Sequence, residues 1–128
     1  MPTLTGTYGA ATLTGGAGDD TILGLGGDDT LIDINGGNNL LDGGSGNDSL
    51  TAQSLTGSET LIGWLGNDNL IATGFIVSLD GGEGNDSLTA NGEMNVSGRQ
   101  SNVIGGNASL SGGAGDDYLT VLITVLSV

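Results

Sequence analysis

The organisation of this chain is set by a nine-residue stretch, Gly81-Gly-Glu-Gly-Asn-Asp-Ser-Leu-Thr89. The pattern is G-G-x-G-x-D followed by three residues, of which the middle one is a large aliphatic. It occurs in full four times, at residues 15–23, 43–51, 81–89 and 112–120. Self-similarity at a short fixed period indicates a repeat architecture, in which each unit packs against its neighbours.

The nine-residue unit has a direct physical interpretation. Glycines at its first, second and fourth positions permit a turn with positive φ, and the last three residues form a short strand. Side chains alternate across a strand, so the aliphatic eighth residue points inward and its two neighbours point outward. The pattern therefore predicts short strands that alternate with turns around a narrow aliphatic core. Such a thin core, in a chain with 27 glycines, predicts that a ligand helps to stabilise the fold.

The aliphatic eighth position can be followed through the degenerate copies. Its members are Leu4, Leu13, Ile22, Leu31, Leu40, Leu50, Leu61, Leu70, Leu79, Leu88, Leu110 and Leu119. This register requires a one-residue insertion at Asp42 and a two-residue insertion at residues 52–53, and the period is lost over residues 90–102. It also places Leu23, Leu41 and Ile62 on the outer surface, where they would form an apolar stripe.

Composition excludes several classes of function. The net charge is −14, and Arg99 is the single basic residue. Binding to nucleic acids, or to the anionic surface of a membrane, requires clustered Lys and Arg, and no run is long enough for a membrane helix. We therefore expect no nucleic-acid partner and no membrane insertion. The chain also has no His and no Cys, and its paired carboxylates follow the repeat, so we predict that it is not an enzyme.

The glycine and aspartate repeats resemble those of the RTX (repeats-in-toxin) family, also called haemolysin-type calcium-binding repeats. The resemblance implies an all-β fold, a right-handed parallel β-roll (β-solenoid) with two nonapeptide repeats per coil and Ca²⁺ between turns two repeats apart. We expect one such domain over residues 1–128, with an irregular insertion at 90–102 and an apolar C-terminal β segment at 118–128.

Two repeats per coil sort the turns onto two edges of the roll. One edge would stack aspartates at Asp29, Asp48, Asp68 and Asp86. The opposite edge would stack Asp20, Asn38, Glu59 and Val77, where the carboxylate is progressively replaced. Because Ca²⁺ takes carboxylate and backbone carbonyl oxygens, we expect about three ions along the first edge and weaker sites along the second. The predicted ligand residues are Gly24, Gly26, Asp28, Asp29, Gly43, Ser45, Asn47, Asp48, Gly63, Leu65, Asn67, Asp68, Gly81, Glu83, Asn85 and Asp86, with Asp20 and Asp117 in further turns.

These features lead to two functional hypotheses. The first is a calcium-binding structural protein that folds on Ca²⁺ and self-associates end to end into an extracellular filament or matrix. The apolar segment 118–128, which is rich in β-forming residues, would supply the joint. The alternative is a soluble Ca²⁺-responsive module that folds after type I secretion and assists a larger partner. The amino terminus lacks the basic and apolar regions of a signal peptide, and the resemblance implies export by the type I route to the cell surface or beyond.

Overall fold

The computed structural model describes residues 2–96 and 107–127, and all of their regular structure is β-strand. The described residues include no helix that could cross a membrane. The ten strands are β1 (Thr3–Thr5), β2 (Thr12–Thr14), β3 (Thr21–Leu23), β4 (Thr30–Asp33), β5 (Asn39–Ser45), β6 (Ser49–Leu65), β7 (Asn69–Glu83), β8 (Ser87–Val96), β9 (Asn107–Ser111) and β10 (Tyr118–Ser127).

All strand pairs are parallel and join segments one coil apart. β1 pairs with β3, with Leu4 opposite Ile22, and β2 pairs with β4, with Leu13 opposite Leu31. A separation of 18 residues between partners means that each coil contains two nonapeptides. The architecture is therefore a parallel β-solenoid, as the RTX resemblance implied, and it has about five turns.

The core consists of two columns of aliphatic side chains, one from each side of the coil. The strand register gives the first column as Leu4, Ile22, Leu41, Leu61, Leu79 and Leu110. The second column is Leu13, Leu31, Leu50, Leu70, Leu88 and Leu119. The central members of both columns are fully buried. Burial of one aliphatic side chain contributes about 1.5–3 kcal/mol.

The core position predicted for Leu40 was wrong, because Leu41 occupies it. Leu41 is 0% exposed and pairs with Ile22 and Leu61, so the extra residue lies in the turn before β5 and not at Asp42. The predicted apolar stripe was also wrong at this point. The outer row runs from Leu23 through Asp42 and Ile62 to Asp80, so carboxylates interrupt it.

The two other irregularities also differ from the predicted register. The two-residue insertion lies between Ser54 and Ser58, where the pairing of β6 with β7 shifts, and not at residues 52–53. Residues 90–96 continue β8 as regular strand, in register with β10, although the segment 90–102 was expected to be irregular. The rest of that segment, with Arg99, lies outside the described residues. β8 ends at Val96, and the next described strand, β9, begins at Asn107.

Candidate calcium edge

One edge of the roll carries a row of five aspartates, which we call the aspartate ladder. Its members are Asp29, Asp48, Asp68, Asp86 and Asp117. In each step the backbone N–H of one aspartate donates to Oδ1 of the next, at 2.7–3.0 Å. The structure thus brings the four predicted aspartates together. It also places Asp117 beside Asp86, 31 residues earlier, so this complete repeat extends the same row.

The second carboxylate oxygen of each of the first four members has no hydrogen-bond partner. Oδ2 is buried and unpartnered in Asp29, Asp48, Asp68 and Asp86, whose exposed fractions are 1–3%. A buried carboxylate oxygen without a partner is costly, and proteins ordinarily satisfy such a group. These oxygens are therefore suited to a hard cation, since Ca²⁺ is bound by carboxylate oxygens.

The first glycine of each turn on this edge makes room for that oxygen. A methyl group added at Gly24 would overlap both Asp29 Oδ2 and the carbonyl oxygen of Gly43 on the next coil. A methyl group at Gly63 would likewise overlap Asp68 Oδ2 and lie 2.6 Å from the carbonyl oxygen of Gly81. A carboxylate and a backbone carbonyl from adjacent coils therefore face one small space, which is the mixed donor set that Ca²⁺ takes.

The fifth residues of these turns form a second, exposed row outside the aspartate ladder. Its members are Asp28, Asn47, Asn67, Asn85 and Asp116. Here Oδ1 of each of the first four residues accepts the backbone N–H of its counterpart on the next coil at 2.8–2.9 Å, so the direction of donation is opposite to that in the aspartate ladder. Two hydrogen bonds to side chains therefore link neighbouring coils, one donated by the earlier coil and one by the later coil.

The third residues of the turns are aligned through their backbones. Gly26 pairs with Ser45, Ser45 with Leu65, and Leu65 with Glu83. The carbonyl oxygens of Leu65 and Glu83 accept the N–H groups of Gly46 and Gly66, both at 2.8 Å. Leu65 has no side-chain oxygen, so any contribution that it makes to an ion is through its carbonyl group.

Two of these turns hold residues other than glycine at a position that requires positive φ. Leu25 and Trp64 have φ of 78° and 80° at the second position, where Gly44, Gly82 and Gly113 have values of 87–98°. The left-handed region costs a residue with Cβ about 1–2 kcal/mol. The turn geometry therefore persists where glycine is absent, because the coils on either side fix it.

Burial also changes the acidity of the aspartate ladder. It raises the pKa of Asp68 to about 6, with the neighbouring Asp48 and Asp86 carboxylates raising it further and the hydrogen bond from the Asp48 amide opposing the shift. Burial likewise raises the pKa of Asp48 and of Asp86 above the ordinary value. In the absence of a cation, ionising the Asp48, Asp68 and Asp86 carboxyl groups is therefore less favourable in the folded roll than in water.

The opposite edge differs from the prediction by one residue. Asn39 and not Asn38 stands between Asp20 and Glu59: the Asp20 N–H donates to Asn39 Oδ1 at 3.0 Å, and Asn39 pairs with Glu59 in the sheet. Asn38 lies in the outer row, where its N–H donates to Asp19 Oδ1 at 2.8 Å. Glu59 is followed by Val77, as expected. This correction has the same cause as the one at Leu41, since both follow from where the extra residue is inserted.

Sequence reasoning missed one buried carboxylate on the opposite edge. Asp33 ends β4 and is 0% exposed. It stands where Gly15 stands one coil earlier and Ala52 one coil later. The sequence signal was an acidic residue at the position of the first glycine of a turn, immediately after the strand Thr-Leu-Ile.

A parallel β-solenoid with a row of buried, unpartnered carboxylate oxygens along one edge defines a calcium-binding β-roll. The chain belongs to the family of the RTX calcium-binding nonapeptide repeat, whose family model matches it in four copies, at residues 3–32, 33–54, 62–93 and 104–121. RTX nonapeptide repeats bind calcium ions. No curated protein and no solved structure gives a significant match to the chain.

Proposed function

We propose that this chain is a calcium-dependent structural module whose β-roll folds when Ca²⁺ occupies the aspartate ladder. The observation that carries this proposal is the row of buried Oδ2 atoms without partners in Asp29, Asp48, Asp68 and Asp86. Five stacked aspartates leave four gaps between adjacent coils, each bounded by carboxylates from two turns. We assign one candidate ion position to each gap.

Electrostatics explains why folding would depend on the ion. Stacked strands of one sheet lie about 4.8 Å apart, so the ladder brings like charges close together in a buried row. Removing a carboxylate from water costs several kcal/mol unless a counter-charge is present. The thin aliphatic core offsets little of this cost, so binding free energy becomes folding free energy.

Far-UV circular dichroism during a calcium titration from chelator tests the proposal. We expect little β signal in chelator and a cooperative gain as Ca²⁺ is added, with a weaker response to Mg²⁺, which demands a smaller octahedral site. A roll already folded in chelator at neutral pH would contradict the proposal.

A matched pair of variants makes the same experiment specific to the ladder. Asp48→Asn keeps the oxygen that accepts the Asp29 N–H but removes the negative charge. We expect its calcium midpoint to rise at least about tenfold, which corresponds to about 1.4 kcal/mol. Asp80→Asn makes the same change of charge at an exposed position on the outer face, and its midpoint should stay near that of the wild type.

We further propose that the folded roll self-associates outside the cell. RTX repeats are typical of proteins secreted by the type I route. Within residues 2–96 and 107–127, β10 pairs with β8 on one side only, and its first residues expose a large apolar surface. The exposed fractions are 71% for Tyr118, 45% for Leu119, 51% for Val121 and 53% for Leu122. An unpaired strand edge with apolar side chains is a template for pairing with another chain.

A head-to-tail joint would depend on these strands and not on the ladder. At the other end of the row, the Ala11 N–H donates to Asp29 Oδ1, and Ala11 itself has no carboxylate to offer a neighbouring molecule. Light scattering during the calcium titration tests this second proposal, with a chain lacking residues 121–128 as the comparison. Scatter that rises with the β signal, and is lost on truncation, supports assembly. A β signal without scatter would instead favour the soluble calcium-responsive module.

A further inference from the structure

The opposite edge of the roll contains three buried carboxylates that the aspartate ladder does not explain. They are Asp20, Asp33 and Glu59, whose exposed fractions are 1%, 0% and 0%. They come from three successive coils, and Asp33 does not occupy the sixth position of a repeat. This cluster is therefore a separate arrangement and not a continuation of the ladder's pattern.

Asp20 and Asp33 share the space beside Gly15. A methyl group added at Gly15 would overlap the Asp33 carboxylate and would lie 2.9 Å from Asp20 Oδ2. The Asp33 carboxylate thus fills, with oxygen atoms, the place where a residue with Cβ would put a methyl group. Glu59 lies on the adjoining coil and is linked to Asp20 through Asn39, whose Nδ2 donates to Glu59 Oε1 at 3.5 Å.

Each of these carboxylates has one oxygen in a hydrogen bond and one without a partner. Asp20 Oδ2 accepts the Gly16 N–H at 2.7 Å, and Asp33 Oδ1 accepts the Asn35 N–H at 3.3 Å. The oxygens left buried without a partner are Asp20 Oδ1, Asp33 Oδ2 and Glu59 Oε2. Burial raises the pKa of Asp33 to about 6 and that of Glu59 to about 7, which shows how poorly the surroundings compensate their charge.

Three buried negative charges require a counter-charge. No salt bridge partner is available in the described chain, since the one basic residue of the sequence, Arg99, lies outside the described residues. Leaving a buried charge without a partner costs several kcal/mol. Among the residues that the structure describes, no basic side chain neutralises the cluster, which leaves protons or a bound cation, and the unpartnered oxygens can serve as ligands of a cation.

We propose that the Asp20 and Asp33 carboxylates hold a hard divalent cation of the size of Ca²⁺ at a site separate from the aspartate ladder. No three acidic side chains in the described part of the chain already converge on one point. The Asp20 and Asp33 carboxylates are therefore the nucleus of the site, and backbone carbonyl oxygens complete the six to eight ligands that Ca²⁺ takes. Asn39, at the end of the turn that Asp33 begins, and Glu59 on the next coil border the site.

Counting bound calcium in the full-length protein tests the proposal. Protein equilibrated with Ca²⁺ by dialysis is analysed for metal per chain, and Asp33→Asn is compared with Asp80→Asn, which makes the same change of charge at an exposed position. We expect Asp33→Asn to bind one ion fewer than the wild type and Asp80→Asn to bind the same number. An unchanged number in Asp33→Asn would overturn the proposal and would mean that protons neutralise the cluster.

A second measurement does not depend on the folding of a variant. Crystals of the wild-type protein grown with Ca²⁺ should show an anomalous peak about 2.3–2.6 Å from an Asp33 carboxylate oxygen. Peaks along the aspartate ladder but none at Asp33 would overturn this inference and leave the proposed function intact. A peak at Asp33 with none along the ladder would support this inference and contradict the proposed function.

Discussion

The two edges of this roll are built on the same coils, yet they treat their carboxylates differently. On the ladder edge each coil repeats one arrangement, in which Oδ1 accepts the N–H of the preceding aspartate and Oδ2 is left buried and unpartnered. On the opposite edge the sixth position changes from Asp20 to Asn39, Glu59 and Val77. Strand pairing therefore continues along the opposite edge although its sixth position changes from coil to coil, whereas the ladder edge keeps the same carboxylate throughout.

The difference also shows what repetition contributes. On the ladder edge, the first glycine of a turn and the carboxylate of the sixth residue form one space that recurs at every coil. On the opposite edge, that position is Gly15 in one coil, Asp33 in the next and Ala52 after it. A row of identical sites can bind ions cooperatively, because each ion orders the turn that its neighbour uses. The opposite edge offers a single composite cluster.

The largest effect should come from filling the space beside a first glycine on the ladder edge. Gly63→Ala would drive a methyl group against Asp68 Oδ2 and the Gly81 carbonyl oxygen, and the carbonyl oxygen belongs to the backbone of the next coil. Overpacking of this kind costs about 1–3 kcal/mol, so the calcium concentration at the folding midpoint should rise about tenfold or more.

The matched control for this substitution lies on the opposite edge. At Gly16 the side-chain position is open, and its nearest neighbour, Asp20 Oδ2, is 3.9 Å away. Gly16→Ala should therefore leave the calcium midpoint nearly unchanged in the same circular dichroism titration. Equal shifts in the two variants would show that the ladder edge has no special requirement for its first glycine.

We expect an intermediate effect on stability when protons, in place of Ca²⁺, neutralise the buried carboxylates. The folded-state pKa values of Asp33 and Asp68, about 6, and of Glu59, about 7, lie above their ordinary values. The folded state therefore binds protons more tightly than the unfolded state. In chelator, the stabilisation that comes from this tighter proton binding is fully present below about pH 4, where the same groups titrate in the unfolded chain. It is lost as the pH rises through 6 to 7.

Circular dichroism in chelator across this range measures the effect. We expect more β signal near pH 5 than near pH 8 in the calcium-free protein, and a much smaller difference once Ca²⁺ is saturating. Both edges contribute, so Glu59→Gln should reduce the part of the change that occurs nearest neutral pH. A β signal in chelator that is the same at both pH values would contradict the assignment of buried, destabilising carboxylates.

The smallest effect should come from Leu25→Gly, which sharpens the comparison at the second position of the turn. Leu25 has φ of 78° and is partly exposed, while Gly44 occupies the same position one coil later with φ of 95°. Glycine relieves the left-handed conformation but gives the unfolded chain more freedom, so we expect a net gain of at most about 1 kcal/mol. Urea unfolding in saturating Ca²⁺ measures this change. A clear loss of stability would show that the Leu25 side chain contributes packing that exceeds its strain.

The sequence alone determined the alternation of strands and turns and, away from the insertions, the column of aliphatic residues that points inward. These features depend on local rules, since glycines permit the turns and side-chain alternation decides which residue points inward. The resemblance to RTX repeats supplied calcium and the two repeats per coil, and this rule placed Asp29, Asp48, Asp68 and Asp86 in one row. The family match agrees with the resemblance.

Only the tertiary structure decided the points where the period of nine is broken. Leu40 and Leu41 are adjacent and chemically equal, and their inward or outward placement depends on which of them meets Ile22 on the coil before. The pairing of Asp86 with Asp117 spans 31 residues, so no local spacing could predict it. The burial of Asp33 beside Asp20 likewise follows from the stacking of two coils. An insertion shifts the phase of everything after it by an amount that the sequence does not locate, and only the packing of one coil on the next fixes where the extra residue is placed.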